Sequence, residues 1–466
     1  MKSPLVTVYI TNHNYGRYIR QAIDSVLGQT FRDYELIVID DGSTDDSRAI
    51  IESYTSDPRI QIIYQQKRGL NRTNNIAMRA ARGRYLMRLD ADDYLDPHAL
   101  ELLSAKLEKD PQLGLVFPDY YLVDADGRVT GLERRHDFSR EVSVFDQPAH
   151  GACTMIRRAF LQAVGGYDER FTCQDGYDLW IKFVSRYKVA NINLPLFYYR
   201  QHGSSLTRNE GRILETRAAI KRAHVRGHRI QLSAAVLLAV RGATDDGYPV
   251  AMEELGRDRR VVDWSIEAAL AAKSVNRIVV TSSDADVLSY ARQRYGRRRR
   301  VVIIPRPPEL ARLNVDLDAT VRFLLRHPKA PFRGVDACVL MSCEYPFVSG
   351  RQVDEAVDTM ELFDVNAVVS VRPETGMFYT HDGSGLQPLA QRDRVTRLER
   401  EAWYRYAGGL TAYRIGALRK GLRGARLRRS HVVVDPQGAL GIHSSFELAV
   451  ARAWVDRGGA TSPSAG

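Results

Sequence analysis

The chain has 466 residues, 44% of them hydrophobic and 26% charged, with a formal net charge of +11 and four cysteines. A single core rarely grows that large, so two soluble α/β-sized domains are expected, and disordered, fibrous and disulfide-stapled classes are excluded. No apolar run approaches the ~18 residues of a membrane span, and the N-terminus enters a strand-like stretch without a secretory signal pattern, so the expected location is cytoplasmic.

The elements begin at residue 5. "LVTVYI", "YGRYIRQAIDSVLGQ", "YELIVIDD", "STDDSRAIIESY" and "IQIIYQ" alternate short apolar runs with helical stretches. Strand, helix, strand, helix, strand predicts a parallel sheet with helices on both faces, and ligands of such sheets bind outside the carboxyl ends of the strands. "DDGSTD" at 40–45 and "DADD" at 90–93 each follow a strand and so open into one crevice. A helix is expected to start at Ser43 or Thr44.

Asp90 and Asp92 are two apart, which on extended backbone puts both carboxylates on one side of the chain. Such a pair suits a hard divalent cation, Mg²⁺ or Mn²⁺, that also binds substrate phosphates. Asp93 is expected near the site or as a cap, and Asp96 before Pro97 as a helix start. A DxD pair alone is equally the composition of a surface turn; the neighbouring "DDGSTDDS" favours a nucleotide site.

A charged, helical connector is predicted over 211–230. The alternation then restarts with "LSAAVLLAV", "VVDWSIEAALAAK", "NRIVVTSSD", "ADVLSYARQRYG" and "VVIIP". The expected organisation is a domain over 1–210, the connector, a second α/β domain over 231–457 and a loose tail over 458–466. Arginine clusters at 297–300 and 418–431 leave room for peripheral attachment to a membrane carrying lipid-linked glycan; no zinc-finger or RNA-binding signature accompanies them, so nucleic acid is not an expected partner.

With these motifs in order, the first half resembles the inverting glycosyltransferases of family 2, which have the GT-A fold. "VTVYITNHNYGRYIRQAIDSVLGQT", "ELIVIDDGSTDDS" and "KRGLNRTNNIAMRAARGRYLMRLDADD" carry the resemblance. It implies a nucleotide-sugar donor held by Thr11, Asp41, Asn75, Asp90 and Arg200. Asn74 departs from the family, in which arginine is common at that position. "GGYDERFTCQDGYDLWIKF" resembles the segment that brings the general base to the acceptor, which makes Asp175 the expected catalytic base and Asp178 the alternative. "YYRQHGSSLT" resembles the closing loop, which implies His202 beside Asp92 as metal ligands for Mn²⁺ or Mg²⁺. The acceptor implied is a glycan or lipid-linked glycan of a surface or secreted polymer.

The second half resembles cytidylyltransferases of acidic sugars. Arg241 and Gly242 match the start of the nucleotide loop, "TSSDAD" the segment after the second strand and "RPPELA" a substrate-side loop. The loop lysine is absent from "ATDDGYPVAMEELG", and His443 and Ser445 stand where paired aspartates bind magnesium. The expected fold is therefore two nucleotide-diphospho-sugar transferase type domains with mostly parallel sheets, the second degenerate, with homodimerisation through it as one use. A chain that also makes its own CMP-sugar, and a non-catalytic scaffold, are the competing readings.

Overall fold

A computed structural model describes residues 3–134, 148–202, 209–227, 231–242, 248–312, 315–374, 378–381, 386–388, 403–420 and 427–459. The chain divides into two compact units, Met1–Arg217 and Ala218–Gly466.

In the first unit β1 (Val6–Asn12), β2 (Tyr34–Asp41), β3 (Ile60–Gln65) and β4 (Tyr85–Asp90) lie parallel in the order β3-β2-β1-β4. The sheet continues through β5 (Leu113–Val123), β6 (Met155–Arg157) and β7 (Lys188–Arg200) in the order β4-β6-β5-β7, with β6 antiparallel to both neighbours and β5 parallel to β7. Short strands Tyr94–Leu95 and Val129–Glu133 extend it. The continuous apolar reading of β1 follows from burial on both faces. Val6, Val8 and Ile10 pack with Ile19, Ile23 and Val26 of helix Gly16–Leu27, while Tyr9 enters a second core with Ile37, Ile39, Ala77, Trp180 and Phe183.

The second unit repeats the plan. β8 (Ala234–Ala239), β9 (Val275–Ser282), β10 (Val301–Pro305) and β11 (Ala337–Met341) form a parallel set in the order β10-β9-β8-β11. β12 (Ala367–Glu374), β13 (Trp403–Arg414) and β14 (Arg429–Val433) follow in the order β11-β13-β12-β14, and β13 is again the antiparallel strand. Two mostly parallel sheets of one topology thus realise the expected α/β class, although no residue-level repeat joins the two halves.

One local expectation is corrected. The helix after β2 begins at Ser47, not at Ser43 or Thr44. Ser43 instead donates its hydroxyl to Asp40 and accepts from Asn12 Nδ2 (3.0 Å) and the Asn14 amide (2.9 Å), so it ties the loop after β1 to the loop after β2. Helix Glu210–Arg226 occupies most of the predicted connector.

Candidate functional site

The strand order places the topological switch between β1 and β4, and the polar residues gather at their carboxyl ends. Thr11 and Asp90 are register partners, and Thr11 Oγ1 donates to Asp90 Oδ1 at 3.4 Å. Asp92 follows on the turn beyond β4. Its Oδ2 lies 2.8 Å from His202 Nε2, just past the end of β7, and the His202 ring packs against Tyr15 and Tyr18. Helix Asp175–Val184 supplies Asp175 as its first residue, after Gln174 in a left-handed conformation (φ 61°). Asp90, Asp92, His202 and Asp175 are therefore drawn from three separate sequence regions into one neighbourhood.

Arg88 joins two of them. It is 5% exposed in the middle of β4, its Nη1 donates to Asp175 Oδ2, and its Nε lies 2.9 Å from Asp90 Oδ1, an ion pair off the hydrogen-bonding direction. Burial pushes the Asp90 carboxyl up to about 6; Arg88 opposes that rise, while Asp92 and Asp175 add to it. Asp93 is buried too, and its carboxyl is held well above the usual range by burial and by the Asp92 and Asp90 charges. Asp93 Oδ1 accepts the Arg200 amide at 2.8 Å, so it pins β7 to the acidic turn. Burial and the three aspartates also push the Tyr15 phenol up, which keeps it a neutral donor.

Other residues expected to hold the donor make hydrogen bonds within the protein. Asp41 accepts from Gln65 Nε2 (2.7 Å) and from the amides of Arg68 (2.7 Å) and Gly69 (2.9 Å), which fixes the loop before helix Leu70–Ala80. Asn75 brackets Tyr167: its Nδ2 donates to the Tyr167 carbonyl and its Oδ1 accepts the Tyr167 amide, both at 2.9 Å. Arg200 is 2% exposed and donates to the carbonyls of Asp92, Asp124 and Ala125 and to Gln21 Oε1. Asn74 accepts from Tyr9 Oη at 3.2 Å, and its buried Nδ2 has no hydrogen-bond partner. Asp178 pairs with Lys182 at 2.7 Å, one turn along the same helix, and the N-cap position is held by Gln174, not by Asp175.

Two features escaped the sequence reading. Arg88 carried a signal: a lone charge in the buried strand "YLMRLD" requires a buried counter-charge. His13 carried none. Its Nδ1 donates to the Asp41 carbonyl at 2.9 Å, a tautomer set by Lys67 Nζ donating to Nε2 at 2.9 Å.

In the second unit the equivalent switch lies between β8 and β11. Arg241 follows β8 and donates Nε to the Ala311 carbonyl at 3.2 Å; Gly242 sits where any Cβ would meet the Asp284 side chain at 2.2 Å. Beyond β11, Glu344 Oε2 lies 3.8 Å from His443 Nδ1, whose ring meets Tyr345 edge-on. Asp245 and Asp246 and the closing-loop residues 203–208 lie outside the described residues.

Residues 7–165 match the model of the family described as glycosyl transferase family 2. The chain is 32% identical over 204 residues to a chondroitin synthase of Escherichia coli, covering 43% of this chain and 30% of that one. It is likewise 32% identical over 204 residues to a hyaluronan synthase of Pasteurella multocida, covering 43% of this chain and 21% of that one. Over 220 residues it is 36% identical to an uncharacterized glycosyltransferase, EpsJ, of Bacillus subtilis, covering 44% and 63%. The chain thus spans less than a third of the length of the two synthases. Among solved structures, Staphylococcus aureus TarS 1–349 in complex with UDP-GlcNAc aligns with 48% of this chain and 68% of that one, at 18% identity and a TM-score of 0.41.

Proposed function

We propose that the first unit is a metal-dependent inverting glycosyltransferase that moves a hexosyl or N-acetylhexosaminyl group from a nucleotide-sugar donor to a glycan or lipid-linked glycan. What carries this reading is the convergence of Asp90, Asp92, His202 and Asp175 at the carboxyl-end crevice of a domain that matches glycosyl transferase family 2. The synthases it resembles are named for chondroitin and hyaluronan, which favours a polysaccharide acceptor.

A carboxylate and an imidazole 2.8 Å apart make a mixed O,N donor set, which fits Mn²⁺ better than Mg²⁺. Among the described residues no cluster of three or more His, Cys, Asp or Glu could cage an ion. Asp92 and His202 therefore suit a cation shared with substrate phosphates, and when bound it would supply charge neutralisation for the departing diphosphate. Asp175 receives the proton of the acceptor hydroxyl, from the face opposite the leaving group, so a single displacement inverts the anomeric centre. Asp41 and Asn75 act on the donor through the loops they fix, and Arg200 by holding the backbone of Asp92.

The second unit is proposed as a nucleotidyltransferase-derived domain without that activity, with Arg241 as its nucleotide candidate. Thermal unfolding with UDP-, GDP- and dTDP-sugars, with and without Mn²⁺, tests the main reading through ligand linkage. A donor that raises the melting temperature only with Mn²⁺, and turnover abolished by chelator, are expected. Undiminished turnover in chelator would remove the metal from the proposal, and a panel without any binding or turnover would remove the activity.

A further inference from the structure

We propose that Arg88 is the positioning residue that holds the donor-side carboxylate Asp90 and the acceptor-side carboxylate Asp175 in register, an inference that rests on the glycosyltransferase reading above. Donor and acceptor sides of the crevice come from elements far apart in the chain. Asp90 closes β4, whereas Asp175 opens a helix 85 residues later. The sheet positions the first and helix packing the second; the hydrogen bond from Arg88 Nη1 to Asp175 links them directly, with the same guanidinium against Asp90.

The surroundings are built for a fixed guanidinium. Arg88 is 5% exposed and faces Tyr9, its register partner on β1. The Tyr9 and Tyr167 hydroxyls, 3.4 Å apart, are both pushed up by burial and offer no charge of their own. Gly151 closes the pocket. A Cβ there would stand 2.3 Å from Arg88 Nη2 and 3.3 Å from Asp175 Oδ2, although the backbone of Gly151 is not in the left-handed region. The absence of a side chain at 151 thus serves the guanidinium, not a turn. Only a forked cation bridges two carboxylates in this way; lysine places a point charge on one of them.

The test uses the full chain, Mn²⁺ and the release of nucleoside diphosphate from a panel of UDP-, GDP- and dTDP-sugars, with water or added glycan as acceptor. Arg88→Lys keeps the charge and loses the fork. Gly151→Ala keeps Arg88 and displaces it, and so decides the matter where Arg88→Lys fails to fold. Each folded variant is expected to lose about 10- to 100-fold in kcat with donor KM within about threefold, the cost of a small misplacement of reacting groups. A folded variant with wild-type kcat, or a loss confined to KM, would overturn the proposal. A wild-type chain inert toward the whole panel would sink the glycosyltransferase reading and this inference with it, whereas an active wild type with unimpaired variants sinks this inference alone.

Discussion

Replacing Arg200 by methionine separates two roles that the sequence could not. As a diphosphate contact, Arg200 would leave the fold untouched when lost and raise donor KM. The structure instead spends its guanidinium on the carbonyls of Asp92 (2.8 Å), Asp124 (3.2 Å) and Ala125 (3.0 Å) and on Gln21 Oε1 (2.7 Å), with the Tyr18 ring beneath it. Leaving a fully buried acceptor without its donor costs about 1–3 kcal/mol; these four bonds are only part-buried, so each lies near the low end of that range. Water and loop relaxation recover part of the sum for the 124–125 turn, and methionine still packs on Tyr18, so a net loss of about 3–5 kcal/mol is reasonable, the range seen when one member of a buried charged network is removed. For a unit of about 200 residues, each kcal/mol shifts the midpoint by about 2–4 °C, so the first unit should melt about 6–20 °C lower. Scanning calorimetry of the full chain measures this, with the first unit's transition identified as the one that moves on adding Mn²⁺ and donor. A midpoint within about 2 °C of wild type, together with a tenfold rise in donor KM, would refute the interior role and restore the diphosphate contact.

Asp175→Asn should lower kcat by about three orders of magnitude with donor affinity nearly unchanged, while Asp178→Asn, which breaks the Lys182 pair, should mainly lower stability; the reverse pattern in steady-state kinetics would move the base to Asp178. In the second unit, burial pushes the Asp358 carboxyl up to about 6 despite its 2.8 Å pair with Arg222. Its folded pKa lies above the unfolded 3.8, so the native state holds the extra proton and stability falls as pH rises between roughly 4 and 6. Asp358→Asn removes that slope: its melting temperature relative to wild type should rise across this window, by the equivalent of about 2–3 kcal/mol, and an offset independent of pH would show that Arg222 fully compensates burial. The full chain given CTP, Mg²⁺ and a panel of nonulosonic and deoxy-octulosonic acids should release no pyrophosphate above background. Robust release would make the two-activity reading the better one.

Periodicity made most of the architecture legible, because a strand buried on both faces must be continuously apolar and its covering helices must show one apolar stripe. Strand order was beyond it. Nothing in "MIR" at 155–157 announces that this three-residue strand runs antiparallel between β4 and β5, since pairing is decided by which edges remain open once the parallel set has formed. At the site, the spacing of Asp90 and Asp92 and the ordered motifs around them pointed to the crevice. What each polar side chain does there was less visible, because its partners come from distant segments. Asn75 reaches 92 residues to Tyr167, and Arg200 reaches 179 to Gln21. Arginine in "YLMRLD" was the readable exception, since burial alone obliged it to find carboxylates.

The shared strand order also sharpens the contrast between the two units. After β4 the first unit presents Asp90, Asp92 and Asp93; after β11, at the same place in the fold, the second presents Ser342, Cys343 and Glu344. The Cys343 thiol is pushed up to about 12, by burial first and then by the Glu344 charge, so it adds no anion of its own to that turn. Glu344 is the one carboxylate of that turn, and His443 lies 3.8 Å from it. Charge on a nucleoside triphosphate needs several fixed anions to recruit its cations, and one glutamate beside a histidine recruits less than the paired Asp90 and Asp92. Shared strand order therefore does not carry the acidic cluster across, and phosphate transfer in the second unit would have to find its charge compensation elsewhere than at these strand ends.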